Sequence, residues 1–463
     1  MRIYHIRGKI MKIVIAGAGR VGYSIARELS KENHDIIVIE QDEKKLKEVS
    51  NNLDVLTLSG NAASYDTLKQ AELKNADLLI AVTEADEVNL LCCLAAKKLG
   101  VTHTIARVRN RDYFRQTAFL KDELGLSMTI NPEEETASEI SRILRFPFAS
   151  KVEAFANSKA ESVEIKVTQD SVLDNMKVAD LRLKLGNVLV CAVSRNKEAF
   201  IPRGDFVIKA GDRLNVIGSY KEINEFIKKL GKSHKTKSVL VLGGGNIAYY
   251  LANQLKGAGI ALKIIERKKD ACEKLKDAFP KVNIVYGNGT NPDILSEEGL
   301  EVADAFVAIT GDDEDNIISS MFAITSGVEK VITKIKEGRF IRMLETDQLD
   351  SIVQPSSIAT QRVVRYVRSM QNAYESSSID ALYYMFEQSV EILELRVNES
   401  FPYSGVPLKD LAVAHDAIVS SIIRKGNCIV PGGDDYISAG DIVIVTTTRK
   451  GVLSLDDVVE AKQ

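Results

Sequence analysis

Two short glycine clusters carry the most readable chemistry in this chain. GAGRVG places Gly17, Gly19 and Gly22 directly after an apolar run, and GGGNIA places Gly243, Gly244 and Gly245 after another, with Ala248 in the last position. In Gly-x-Gly-x-x-Gly the first glycine permits a tight turn and the second lets backbone approach a pyrophosphate. The third allows close helix packing, and alanine is tolerated there. A helix opening on such a loop offers free N–H groups and a partial positive charge to phosphate. The candidate phosphate loops are therefore Gly17, Ala18, Gly19, Arg20 and Val21, and Gly243, Gly244, Gly245, Asn246 and Ile247.

An acid stands 23 residues beyond the first glycine in both copies: Glu40 closes DIIVIE and Glu266 closes ALKIIE. A carboxylate there can accept hydrogen bonds from both ribose hydroxyls and would repel a 2′-phosphate, which favours NAD(H). Arg267, Lys268 and Lys269 weaken that preference in the second copy. Thr83 and Glu84, matched by Thr310 and Gly311, end a later strand at the carboxyl edge, where ligands bind in such sheets. Arg107 and Lys334 lie on the next strand, within reach of phosphate or adenine. The bland alternatives are short turns, solvated strand ends and ion pairs at a sheet edge. Acidic clusters at 84–87 and 312–315 read as helix caps rather than metal ligands, because no histidine or cysteine accompanies them.

A dehydrogenase would also need a group to move a proton as hydride moves. The histidines, His5, His34, His103, His234 and His415, sit in no catalytic motif and none recurs between the copies. The nucleophile elbow and the P-loop are absent. A binding protein rather than an enzyme is expected.

The elements that must position these residues occur twice. Residues 12–150 and 238–370 run through the same events at an offset of 226 or 227. In each, a nearly all-apolar strand precedes the glycine loop, and an amphipathic helix follows with Val21, Ile25, Ala26 and Leu29, or Ile247, Leu251 and Leu255. The strands at 76–83 and 303–310 match, as do those at 103–108 and 331–335. Short apolar strands alternating with helices imply an α/β doubly wound parallel sheet covered on both faces, present twice. The stretches between are paired too: SVEI at 162–165 and 389–392 opens a segment with a proline-glycine-aspartate turn and an Ala-Gly-Asp triplet at 210–212 or 439–441. These read as small α+β domains with hairpins. Expected bounds are 11–133 and 236–354 for the Rossmann-like units, and 151–235 and 374–458 for the small ones. Helical stretches at 132–146 and 355–370 are candidate contacts between Rossmann units.

Composition limits the partners. Lys and Arg total 61 against 64 acids in 463 residues, so no basic excess points to nucleic acid. No apolar run approaches the roughly 18 residues that span a bilayer, which suggests a cytoplasmic chain. The five cysteines lack paired spacing and read as small buried hydrophobes. The strand pattern begins directly after Met11, a possible translation start, and residues 1–10 have no inferred role.

GAGRVG, the strand-ending Glu40, Gly60-Asn61, TEADEVN at 83–89 and IARV at 105–108 resemble the RCK domain, a regulator of potassium conductance. The large–small order repeated over residues 11–460 is similar to the TrkA family of Trk potassium-uptake subunits. The resemblance implies a regulatory subunit, peripheral on the inner face of the plasma membrane, that forms a homo-oligomeric gating ring on a TrkH-type potassium-translocating partner. NAD(H), with ATP or ADP in the same clefts, would bias its conformation. Carried over, the first site would use residues 17–21, Glu40, Thr83, Glu84 and Arg107. The second would use residues 243–247, Glu266, Thr310, Gly311 and Lys334. The alternatives are an NAD-dependent oxidoreductase with tandem Rossmann units and a nucleotide sensor of another transporter.

Overall fold

The computed structural model describes residues 10–461 apart from 33, 120, 157, 232–234, 344–348, 376–378, 387–388, 451 and 453. Residues 1–9, with His5, lie outside it, as do His234 and part of the connector at 228–237. The first parallel sheet contains Lys12–Ala16, Asp35–Glu40, Leu56–Ser59, Leu78–Ala81, His103–Arg107 and Met128–Ile130, in the order 3-2-1-4-5-6. The second repeats that order with Ser238–Leu242, Ala261–Glu266, Asn283–Tyr286, Ala305–Ala308, Lys330–Lys334 and Ser351–Val353. Alternation along each strand explains the unbroken apolar runs. Ile13, Ile15, Leu78 and Ile80 enter one core, and Val14, Ala16, Leu79 and Ala81 enter the core on the opposite face. In both copies the order reverses between the first and fourth strands, which opens a crevice at their carboxyl ends.

Each large unit is followed by a linking helix that packs on the other unit. Pro132–Arg145 is started by Asn131, whose side chain accepts from the Glu133 and Glu134 amides, with proline in the first turn. Its apolar face, Ala137, Ile140, Ile143 and Leu144, completes the core of the second unit beside Val239, Val241, Ile247 and Leu251. Pro355–Glu375 sends Ala359, Val363, Val364, Val367 and Met370 into the first unit, against Ile13, Ile15, Ile25 and Leu29. At about 1.5–3 kcal/mol per fully buried large aliphatic side chain, each helix contributes several kcal/mol to a unit other than the one it directly follows. Polar contacts fix the exchange: Asn131 Nδ2 donates to Tyr250 OH at 2.9 Å, Gln254 Nε2 donates to Ser138 Oγ at 2.8 Å, and Arg362 pairs with Glu135. These helices, read as contacts that pair Rossmann units into a ring, pack here between the two units of one chain.

The small domains are five-stranded antiparallel sheets. Lys151–Phe155, Ala160–Lys166, Leu189–Arg195, Glu198–Phe200 and Arg213–Gly218 form the first; Ile379–Met385, Val390–Arg396, Ala417–Arg424, Asn427–Ile429 and Ile442–Thr447 form the second. The Ala-Gly-Asp triplet has one structural role in both. Buried Asp212 accepts two hydrogen bonds from Arg195, both at 2.7 Å, and the Lys209 amide at 2.8 Å; buried Asp441 does the same for Arg424 and the Ser438 amide. The first domain carries helices Val178–Leu185 and Tyr220–Lys229. The second replaces them, among the described residues, with 3-10 turns and a strand pair, Leu411–Val413 on Val459–Ala461. The two sheets pack together through Phe155, Cys191 and Ile217 on one side and Met385, Ile392 and Ile444 on the other.

Candidate functional site

The three glycines of the first loop are needed for three different reasons. Gly17 has φ +105° and donates to Ile39 O at 2.8 Å, and a Cβ there would lie 2.9 Å from the Thr83 nitrogen. A Cβ at Gly22 would lie 1.9 Å from the Gly17 carbonyl oxygen, so only glycine lets the helix sit this close. Gly19 is extended, with φ −66° and ψ −177°, and a Cβ there would meet nothing within 4 Å. Neither its own backbone nor its neighbours require glycine. Gly19 is also the N-cap of Arg20–Ser30, makes no side-chain capping bond, and is followed by no acid in the first turn. The first helical bond runs from Tyr23 to Gly19, which leaves the amides of Arg20, Val21 and Gly22 without intrahelical acceptors. Open space above an uncapped, positively polarised helix end is what a phosphate requires.

Glu40 braces this loop. One carboxylate oxygen accepts the Ala18 amide at 2.7 Å, and the other accepts the Gln41 and Asp42 amides at 2.8 and 3.0 Å. The oxygen that accepts only Ala18 can take a further donor, so a ribose hydroxyl remains compatible with these bonds. Across the crevice, Thr83 donates its N–H and its hydroxyl to Asn89 Oδ1 at 2.8 and 2.7 Å. Asn89, fully buried, returns its amide to Arg107 O at 2.9 Å and Thr83 O at 3.2 Å, tying the fourth strand, its helix and the fifth strand together. Arg107 Nη1 donates to Thr83 O at 3.3 Å, while its Nε is buried without a partner. Burial, reinforced by Arg109, lowers its pKa, yet a guanidinium stays charged. Glu84 is exposed and pairs with Lys45 at 3.5 Å, joining the turn after the fourth strand to the helix after the second.

The second cleft repeats this plan with altered chemistry. Gly243 has φ +106° and donates to Ile265 O at 2.9 Å; Gly245 is again open, with nothing within 4 Å of a Cβ. Glu266 accepts the Gly244 amide at 2.6 Å and the Lys268 amide at 2.7 Å. Gly244 replaces alanine because a Cβ would come within 2.9 Å of Glu266 Cβ and Leu275 Cδ1. Asn246 opens the helix Asn246–Gln254, in which Ile247 and Ala248 are buried. Thr310 and Asn316 reproduce the Thr83 and Asn89 pair, with Asn316 Nδ2 reaching Lys334 O at 3.0 Å. Lys334 turns its ammonium inward to Ile309 O at 3.2 Å, and burial, helped by the charge of Lys336, lowers its pKa to about 8. Gly311 is exposed, and its carbonyl accepts from Lys336 Nζ.

Sequence reasoning missed Asn89 and Asn316, although the Thr-x5-Asn spacing that recurs in both copies would have found them. The acidic clusters divide their work. Asp312 does cap its helix, accepting the Asp315 amide at 3.2 Å, whereas Ala85 in the matching place cannot. Asp86 and Asp313 instead hold the loop after the fifth strand: Asp86 accepts the Arg109 and Asn110 amides, and Asp313 those of Lys336 and Glu337. No cluster of three metal-ligating side chains occurs among the described residues. The cysteines are unpaired, and Cys92, Cys93, Cys191 and Cys272 are buried, with burial raising their thiol pKa values. His103 begins its strand at the edge opposite the crevice and meets Tyr366 OH at 3.0 Å, and His34 is buried beside Glu32. Among the described residues, no helix is long and apolar enough to cross a membrane.

Two family models each match the chain twice. The TrkA-N domain model matches residues 13–132 and 239–355, and the TrkA-C domain model matches 163–231 and 392–459. The Trk system potassium uptake protein TrkA homolog of Archaeoglobus fulgidus is 35% identical over 435 residues, covering 94% of this chain and 97% of that one. The Halomonas elongata protein TrkA is 30% identical over 445 residues, covering 95% and 96%. The GsuK RCK domain shares the fold, with a TM-score of 0.62 at 15% identity over 99% of this chain and 97% of the other. The GsuK channel bound to NAD gives a TM-score of 0.61 at 15% identity, covering 97% and 78%. Two TrkA-N domains, each followed by a TrkA-C domain, and this level of identity across nearly the whole length place the chain in the TrkA family.

Proposed function

We propose that the chain is a cytoplasmic, ligand-gated regulatory subunit of potassium uptake and not a catalyst. NAD(H) binds the first cleft through residues 17–21, Glu40, Thr83, Glu84 and Arg107. NAD(H), ATP or ADP binds the second through residues 243–247, Glu266, Thr310, Gly311 and Lys334. One observation carries the reading: Gly19 and Gly245 stand open above uncapped helix ends although nothing inside the protein demands glycine at either place. The name of the relatives, Trk system potassium uptake protein, supports the potassium part, and the NAD-bound title of the same-fold GsuK channel supports the dinucleotide. The absence of a catalytic role is supported by the place of His103 at the strand end opposite the crevice.

Gating follows from differential affinity, since a ligand shifts a conformational equilibrium only as far as it prefers one state. The membrane partner is a TrkH-type potassium-translocating subunit at the inner face of the membrane, and the chain assembles there as a homo-oligomeric ring. Support for assembly comes from the outer face of Asp313–Thr325, which leaves Ile318, Met321 and Ile324 exposed, with Leu91 at the matching place in the first unit. Light scattering of the intact chain should return a multiple of its mass. Potassium flux in vesicles carrying the membrane subunit should change with NADH, NAD, ATP or ADP when this chain is added. Flux that ignores all four nucleotides would sink the proposal.

The clefts should differ in pH dependence. Lys334, with its pKa near 8, loses charge between about pH 7 and 9, whereas Arg107 stays charged. Nucleotide affinity of the second cleft, measured in a Gly19→Asp chain, should weaken by about fivefold over that range, and Lys334→Arg should flatten the dependence. The folded pKa lies below the ordinary lysine value of 10.5, so the unfolded chain binds more protons between the two values. Stability gained from Lys334 therefore rises with pH from about 8 to 10.5.

A further inference from the structure

One ion pair reaches from the first phosphate loop into the second large unit. Arg20, the residue after the open Gly19, extends its guanidinium to Glu337 at 3.4 Å. Glu337 lies in the loop after the fifth strand of the second unit, and its amide is held by Asp313 at 2.9 Å. Lys336, its neighbour, is held by the same carboxylate oxygen and donates Nζ to the carbonyl of Gly311, a candidate residue of the second cleft. Glu337 also pairs with Arg339 at 2.6 Å, so it keeps a cation when Arg20 leaves. The ion pair is not repeated on the other side: the residues matching Arg20 and Glu337 in the opposite copies are Asn246 and Asn110, and there Arg111 lies over the Tyr249 ring at 3.9 Å instead.

We propose that the Arg20–Glu337 pair is a switchable contact that makes the two clefts bind ligand cooperatively; this rests on reading both clefts as nucleotide sites. Phosphates arriving over residues 17–20 recruit the Arg20 guanidinium, which must then leave Glu337. Part of the binding free energy of the first ligand is spent on that rupture. A ligand in the second cleft that draws on Lys336 or displaces Gly311 moves the Glu337 loop and releases Arg20 beforehand. The first ligand then binds more tightly, and linkage requires the converse as well. Arg20 is exposed and Glu337 half-buried, with 58% and 35% of their side chains open to solvent, so the coupling is modest, up to about fivefold.

The test is calorimetric titration of NADH into the full chain, with and without saturating ADP, for wild type, Glu337→Gln and Gly245→Asp. Wild type should bind NADH in the first cleft about two- to fivefold more tightly with ADP present. Glu337→Gln should start at the tighter affinity and show no ADP effect, and Gly245→Asp should stay at the weaker one. Raising salt should shrink the wild-type difference without creating one in Glu337→Gln. Equal NADH affinity in wild type and Glu337→Gln, or an ADP effect that survives in Glu337→Gln, overturns the coupling. NADH binding that persists in Gly19→Asp while saturating ADP fills the second cleft overturns the assignment of the first cleft instead, and no binding to wild type overturns both.

Discussion

Gly19→Asp should abolish NADH binding at the first cleft while leaving the melting temperature unchanged or slightly raised. The backbone at this position is extended and open to any residue, and the added side chain enters empty space. Aspartate is a favoured N-cap and can accept amides of Arg20–Ser30 that glycine leaves free, a gain of a few tenths of a kcal/mol. The same carboxylate occupies the phosphate position and opposes its charge, a penalty of several kcal/mol and thus a loss of at least about 100-fold in affinity. Gly22→Ala is the contrasting control. Its methyl would press on the Gly17 carbonyl, so stability should fall together with binding. Calorimetry paired with thermal melting separates the two outcomes. An unchanged Kd in Gly19→Asp would show that the open space over the helix end is not a phosphate site.

Val367→Asp should unfold the first large unit, although residue 367 follows the second. Val367 is fully buried among Ile13, Ile15, Ile25 and Leu29. A carboxylate there has no partner and must be desolvated or protonated, and the valine packing is lost as well, together about 4 kcal/mol or more. Hydrogen exchange should report lost protection in Lys12–Ala16, and the first cleft should lose NADH. Preserved protection in that strand would contradict the helix exchange. Val367→Ala, which trims the packing without adding charge, should cost about 1–3 kcal/mol and leave binding measurable.

Much of this architecture is legible in the sequence because its signals are local. Strand runs such as DIIVIE, helix periodicity such as Val21, Ile25 and Leu29, and the glycine spacing each report on their own immediate neighbourhood. Residues 132–146 and 355–370 are legible as apolar helices, but periodicity reveals that a face is buried and not what buries it. Their exchange between units depends on the shapes of two cores at once. At the site, the glycines and the strand-ending acids are readable from type and spacing. The bracing of the loop by Glu40, the inward turn of Lys334 and the tie made by Asn89 are not, because each depends on a partner brought near by the fold. Residue type gave Asp86 and Asp312 one common role, whereas a difference of one turn position sends the first to a neighbouring loop and leaves the second on its helix end.

The exchanged helices also shape how the duplicated halves can diverge. A half that lost its fold would strip the other of the helix sealing its core, so neither copy can decay into an idle appendage. The residues facing the crevice carry no such obligation. Gly311 and Lys334 differ from their counterparts Glu84 and Arg107, while the sheet order beneath them is the same. Architecture is held in joint custody by the two halves, and ligand preference is left for each to inherit separately.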